Sequence, residues 1–594
     1  MKRLPILLVV LVVIGALAGA EANAAPGKAK FANVPLLRPE GGTEPAISIA
    51  ADGTMAITAL NPTLPLEFAF TNLWKGPFDG MPTHQGPVDV RIEGAYGGSD
   101  ADVDLSSIGT LHVTTLVEVL NPVNNNEQLG VSSITCPGGD TSDHYARCTA
   151  QLIDTTNTDR PFIASDGRQV YIAYHDAGNS AGIRVQRSDD DGVTWRRVGN
   201  LTMGLGEVTA GATFNNGIGP VVTDPLTHAV YAIFSSGSAG LNKAKEVLQN
   251  KVYVASSNDL GEHWTANLVY EAPEGTNFSE PFPQGLALDP VTGALFVAFS
   301  DAHSIYFSRS TDGGKTWSSP PSILNTAPAR TALFPAAAAY NRTVDIVYYG
   351  TSAASKDDQA AVWNVYVAKS SDAGAHFVQT PVSTTPNHVG AVCTDGSACF
   401  AGDRVLLDLF EVAIDARSGR AAVAYASDTV GDPFRITSGR NKGTYRSAEA
   451  VFTKSLLDLP GAVMKGGTTY VGRACPGDFV PPAVEDGDPN TQEIAVIMRG
   501  TCLFHEKAQA VLAEGYDGFI VFNGSDPVLF RGGDEVFPMG GSTFRDIAGE
   551  MVGHSTGLAI FGAGSDSDLV VGASGAPISV GRLRVQVVLA QESP

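Results

Sequence analysis

The chain has 594 residues, with 62 Asp and Glu against 39 Lys and Arg, a formal net charge of −23. That length exceeds one ordinary domain. A surface so acidic repels phosphate backbones and excludes nucleic acid as a partner, while 65 Gly and 35 Pro suit a turn-rich β protein.

Residues 1–24 read as a signal peptide. Lys2 and Arg3 form a basic start, residues 6–18 an apolar core too short for a membrane span, and Ala22-Asn23-Ala24 a small-x-small cleavage site. No later apolar run reaches spanning length. The mature chain is therefore expected to be secreted, extracellular or periplasmic, with no transmembrane segment after cleavage.

From there a hairpin pattern recurs: an apolar strand, a short turn with Asp or Gly, and an alternating strand. Copies begin near Glu44, Asp100, Arg160, Asn216, Glu280, Arg330 and Arg404, at intervals of 50 to 74 residues. Period-two alternation bounded by turn residues predicts β-hairpins. Each would leave a face exposed unless its neighbours stacked upon it.

Between these hairpins stand four octets: Ser188–Trp195 (SDDDGVTW), Ser257–Trp264 (SNDLGEHW), Ser310–Trp317 (STDGGKTW) and Ser370–Phe377 (SSDAGAHF). Each carries an Asp that can accept from backbone N–H groups, a Gly for a turn, and a terminal aromatic that must find an apolar neighbour. The structural set is Asp190 and Trp195, Asp259 and Trp264, Asp312 and Trp317, and Asp372 and Phe377. The pattern resembles the Asp-box, or BNR repeat, of the sialidase superfamily. The two repeats together predict a β-propeller over residues 35–455, of six or seven blades, with seven favoured by the spacing. Sialidases have six, so seven departs from that family.

After residue 455 the texture changes. Residues 494–500 read as a strand and turn. Residues 504–514 read as a helix with Phe504, Ala508, Val511 and Leu512 on one face and Gly515 as its stop; residues 518–523 read as a further strand. The string IAVIMRGTCLFHEKAQAVLAEGYDGFIVFNGSD resembles the protease-associated (PA) domain, which predicts a small α/β unit over 456–592. PA domains resemble binding or lid modules and bring no catalytic residues of their own.

The six Cys fall as local neighbours, Cys136 with Cys148, Cys393 with Cys399 and Cys475 with Cys502. Three disulfides in an oxidising compartment are expected.

The sialidase resemblance implies three Arg from different blades gripping a substrate carboxylate, a Tyr–Glu nucleophile and an Asp acid/base. Guanidinium forks match a carboxylate bidentately, and a Glu draws a phenolic proton. Arg160, Arg330 and Arg404 each begin a hairpin, Glu280 stands at the equivalent place in its own repeat, and Asp176 follows the Arg160 hairpin. Tyr425 and Tyr445 are the candidate nucleophiles. The other reading is that these Arg pair with Glu44, Asp100, Glu280 or Asp403 and hold blades together. No cofactor is expected; the carboxylate clusters Asp189-Asp190-Asp191 and Asp100, Asp102, Asp104 raise a structural Ca²⁺. The main expectation is a binding protein for extracellular glycans or proteins, acting through its central face and PA module. A sialidase-type glycoside hydrolase using the Arg triad is the alternative, and an accessory subunit of a secreted protease is the weaker one.

Overall fold

The computed structural model describes residues 28–594 apart from 62–68, 90–91, 122–123, 125, 177–181, 203–216, 238–247, 279–283, 395–398, 400–403, 486, 489, 501 and 526–532. The expected targeting segment lies outside the described residues. Among them no helix is long and apolar enough to cross a membrane.

Seven antiparallel sheets form a seven-bladed β-propeller. The innermost strands, in ring order, are Thr43–Ile49, Ala101–Leu105, Thr158–Asp166, Ile218–Thr223, Gly285–Leu288, Thr331–Tyr340 and Glu411–Asp415. Each packs against the next, and the last against the first.

The strands are apolar on both faces because each face meets a different neighbour. In the fourth blade, Val230, Ala232 and Phe234 pack against the third, while Tyr231 and Ile233 pack against the fifth. One apolar cluster fills each of the seven junctions between blades. Alternation of side chains along a strand makes this double burial possible.

The four octets join the third strand of a blade to its fourth in blades three to six. Their geometry repeats. Ser188 donates to Asp190 at 2.8 Å, Thr194 N–H donates to the same carboxylate at 2.8 Å, and Trp195 Nε1 donates to the Gly192 carbonyl at 3.2 Å. Asp312 takes Ser310 at 2.7 Å and Thr316 N–H at 3.0 Å, with Trp317 donating to Gly314 at 3.1 Å. Asp259 and Asp372 accept likewise from Ser257 and His263, and from Ser370 and His376. The octet glycines Gly192, Gly261, Gly314 and Gly374 all have φ between 76° and 83°, a region other residues resist. Trp195, Trp264, Trp317 and Phe377 each pack into the junction with the preceding blade.

The seventh blade has an order the repeat did not suggest. Its strands run Glu411–Asp415, Arg420–Ser427, Gln586–Glu592 and, outermost, Phe31–Pro35. Gln586–Glu592, expected in the C-terminal unit, is thus a propeller strand, and so is Phe31–Pro35, at the edge of the expected propeller range. The C-terminal unit is threaded between the second and third strands of that blade.

That unit is an eight-stranded sheet. Its centre is parallel: Met464–Tyr470, Ile494–Met498, Gly518–Phe522 and Ala548–Val552. Helices Phe504–Ala513 and His554–Phe561 flank it, and one apolar cluster lies on each side of the sheet. Ala508 and Val511 are buried as their helical spacing predicts, and Gly515 follows the helix with φ 88°. The three expected disulfides, Cys136–Cys148, Cys393–Cys399 and Cys475–Cys502, are present.

Candidate functional site at the propeller axis

Four inner strands carry an X-Pro pair inside a break of register. Gly219-Pro220 is one; the others are Glu44-Pro45, Arg160-Pro161 and Phe334-Pro335, with φ of 46°, 51° and 54° at the residue before proline. Proline has no N–H for the ladder, so a bulge is where a strand accepts it. A bulge also re-aims the neighbouring side chain. In the sixth blade the place of Glu44 and Arg160 is therefore held by Phe334, not Arg330.

Glu44 and Arg160 meet at Asp408, which stands just before the seventh inner strand. The Asp408 N–H donates to Glu44 at 2.9 Å. Its carboxylate takes both Arg404, four residues earlier, and Arg160 at 4.0 Å. Gln284, from the fifth blade, donates to the Asp408 carbonyl. Leu409 then packs with Phe162 and Ile218 of the third and fourth blades. The segment Arg404–Phe410 thus crosses the axis and plugs it: Leu406, Asp408 and Phe410 are 3% exposed or less. Arg404 and Asp159 keep about a third of their side chains exposed, at 31% and 32%, and form the rim.

The electrostatics follow from this burial. Burial, then the nearby Asp100 and Asp408, holds Glu44 well above the usual carboxylate range. Burial and Asp159 push Asp100 up to about 6. Burial works against the Arg404 charge, but Asp408 more than offsets it and raises its pKa above the usual guanidinium value.

The other expected residues lie elsewhere. Arg330 is exposed, and its N–H donates to the Pro328 carbonyl at 2.9 Å. Asp176 is fully buried and paired with Arg184 in its own blade. Tyr425 donates to Asn33 at 2.6 Å and Tyr445 to the Asn441 carbonyl at 2.6 Å. Glu280 and Asp403 lie outside the described residues. Asp408 and Gln284 had no motif to mark them; the spacing of Arg404 and Asp408 by four was the one available signal. Neither carboxylate cluster converges on a metal site. Asp102 accepts from the Ile163 and Val103 N–H groups at 2.8 and 2.7 Å, Asp104 takes Ser165, and Asp190 serves its own turn. Among the described residues no group of three or more His, Cys, Asp or Glu is arranged to hold an ion.

Buried carboxylates set a pH dependence. Burial pushes Asp89 and Asp102 up to about 7, and Asp100 and Asp345 up to about 6, against roughly 3.9 in an unfolded chain. Between those values the folded state binds more protons, so stability falls as pH rises from about 4 to 7. In the opposite sense, hydrogen bonds hold Asp259 down to about 2, and that contribution is lost only as pH falls below about 4. Scanning calorimetry is expected to place the highest Tm near pH 4–5, with Asp102→Asn flattening the alkaline side. A Tm that climbs steadily to pH 8 would contradict this assignment.

The PA domain family model matches residues 465–560. A search of curated proteins finds no match. Among solved structures, the chain is similar to a Dyadobacter fermentans protein of unknown function, at 13% identity over 68% of this chain and 95% of that one, TM-score 0.39. It is similar also to an ulvan lyase of a polysaccharide lyase family, at 12% identity over 66% and 93%, TM-score 0.41, and to a Hadza microbial sialidase, at 14% over 65% and 63%, TM-score 0.35. These likenesses assign no activity. The chain is a seven-bladed β-propeller that carries a PA domain at 465–560 near its C-terminus.

Proposed function

We propose that this protein is an exported, non-catalytic binding protein of the Asp-box type, which takes an extracellular glycan at the rim of the propeller axis. One observation carries the reading: the Asp408 carboxylate already occupies Arg160 and Arg404. A substrate carboxylate would have to displace it, against the backbone bonds that fix Asp408 to Glu44 and Gln284. With their charge so balanced, Arg404, Arg160 and Asp159 suit the hydroxyl groups of a neutral sugar, which both donate and accept.

Calorimetric titration of the purified chain with neutral oligosaccharides tests this. Saturable binding is expected, weakened about tenfold by Arg404→Ala, a loss of about 1.4 kcal/mol. Turnover of a fluorogenic sialoside that Arg160→Ala abolishes would overturn the reading in favour of a hydrolase.

A further inference from the structure

A second site lies where the PA-bearing unit meets the propeller. A cavity of about 250 Å³ opens there, between His388 and Asp428 of the sixth and seventh blades and Arg446, Ser447, Glu449 and Arg582 of the inserted unit. It is smaller than the roughly 300–1,000 Å³ of pockets for drug-sized ligands, and so suits a single small molecule.

Its polar groups are incompletely matched. His388 Nδ1 uses one oxygen of Asp428, at 2.8 Å; the other oxygen, buried, has no hydrogen-bond partner among the described residues. The buried Nε of Arg582 has none either. Arg446 anchors its guanidinium on the carbonyls of Val389 and Gln359, at 2.8 and 3.1 Å. Burial lowers the Arg446 pKa; Asp428 offsets part of that, the positive charge of Arg582 adds to it, and Glu535 offsets it a little further. Two guanidinium groups within range of one another in a half-buried cavity repel. An anion between them relieves that repulsion and supplies a partner to Arg582.

The charge count defines the anion. Among the charged residues that line the cavity, Arg584 is matched by Glu449 at 3.3 Å, which leaves Arg446 and Arg582 against Asp428; Glu535, outside the lining, acts on Arg446 more weakly than Asp428 or Arg582. Glu550, behind Ser447, is held well above the usual carboxylate range by burial and by Glu449. A dianion would oppose Asp428. A monoanion that also donates a hydroxyl to the unpartnered Asp428 oxygen supplies both that oxygen and the Arg582 Nε.

We propose that this interdomain cavity binds a small hydroxycarboxylate, its carboxylate held by Arg446 and Arg582 and a hydroxyl donated to Asp428. The chemistry is that of a free sugar acid or of the terminal uronic acid of a glycan. Val405 of the segment that plugs the axis also lines this cavity, but Arg160, Arg404 and Asp159 of the axial rim do not.

Thermal-shift and calorimetric titration of the full chain with D-glucuronate, D-glucose, acetate and a glucuronate-terminated trisaccharide test the proposal. D-Glucuronate is expected to raise Tm saturably, acetate to bind at least tenfold more weakly, and D-glucose not to bind. Comparable affinity for the trisaccharide assigns the glycan source; its exclusion assigns the free acid. Arg582→Gln and Arg446→Gln are each expected to weaken D-glucuronate by tenfold or more with unchanged circular dichroism. If Arg582→Gln does not fold, Arg446→Gln carries the comparison. Equal binding of D-glucose, no saturable binding of D-glucuronate, or affinity unchanged in the folded Arg variants would overturn the proposal.

Discussion

Deletion of residues 586–594 is expected to abolish the cooperative unfolding transition of the propeller, although the deleted stretch lies beyond the PA domain. Gln586–Glu592 is the third strand of the seventh blade, between Arg420–Ser427 and Phe31–Pro35. It buries Val587, Val588, Leu589 and Ala590 in the junctions on either side. Each buried Val or Leu contributes roughly 1.5–3 kcal/mol. Losing three of them, with two hydrogen-bonded ladders, approaches the 5–15 kcal/mol that typically separates folded from unfolded. Phe31–Pro35 would then have no strand to pair with. Urea denaturation followed by tryptophan fluorescence reads the result. A truncated chain that unfolds within about 0.5 M urea of the intact one, a loss of about 1 kcal/mol at typical slopes, would mean that the ring closes without this strand.

The second large effect is expected at Arg584, 2% exposed. It stands on the return path from the inserted unit to the propeller. Its guanidinium lies 3.3 Å from Glu449 and donates to the carbonyls of Ala450 at 2.9 Å, Pro39 at 2.6 Å and Thr453. Glu449 in turn accepts from Leu456 N–H at 2.9 Å and Arg584 N–H at 2.7 Å. One side chain therefore ties the N-terminal segment to the root of the insertion. Arg584→Met leaves Glu449 buried without its partner, a change that costs about 3–5 kcal/mol where buried pairs are broken. Burial already raises the Glu449 pKa, so the loss is expected to be smaller at pH 5 than at pH 8, where the carboxylate must be ionised. The double substitution Arg584→Met with Glu449→Leu should recover much of the stability. Chemical denaturation at the two pH values measures all three; an equal loss at both would remove Glu449 from the explanation.

Much of this architecture was legible in the sequence because it depends on local rules. The octets are turns closed by their own Ser, Asp and Gly, and the hairpins follow from alternation within some twenty residues. The order of strands in the seventh blade was not legible. Gln586–Glu592 has the same alternating texture whether it ends an α/β unit or completes a blade, and its partner at Phe31–Pro35 lies more than 550 residues away. At the axis, Arg160 and Arg404 were found because each opens a hairpin. Arg330 opens one too, but the bulge at Phe334-Pro335 gives the axial place to phenylalanine. Asp408 escaped notice because a lone aspartate between leucines carries no pattern. Its role comes from which blades face one another across the ring.

The position of the first strand bears on how the chain is made. Phe31–Pro35 leaves the ribosome more than 550 residues ahead of the edge it pairs with. Six blades and the inserted unit can assemble in turn, while the ring stays open at one seam until Gln586–Glu592 has been made. A chain released too early would therefore carry an unpaired strand edge, ready to recruit the same edge of another copy.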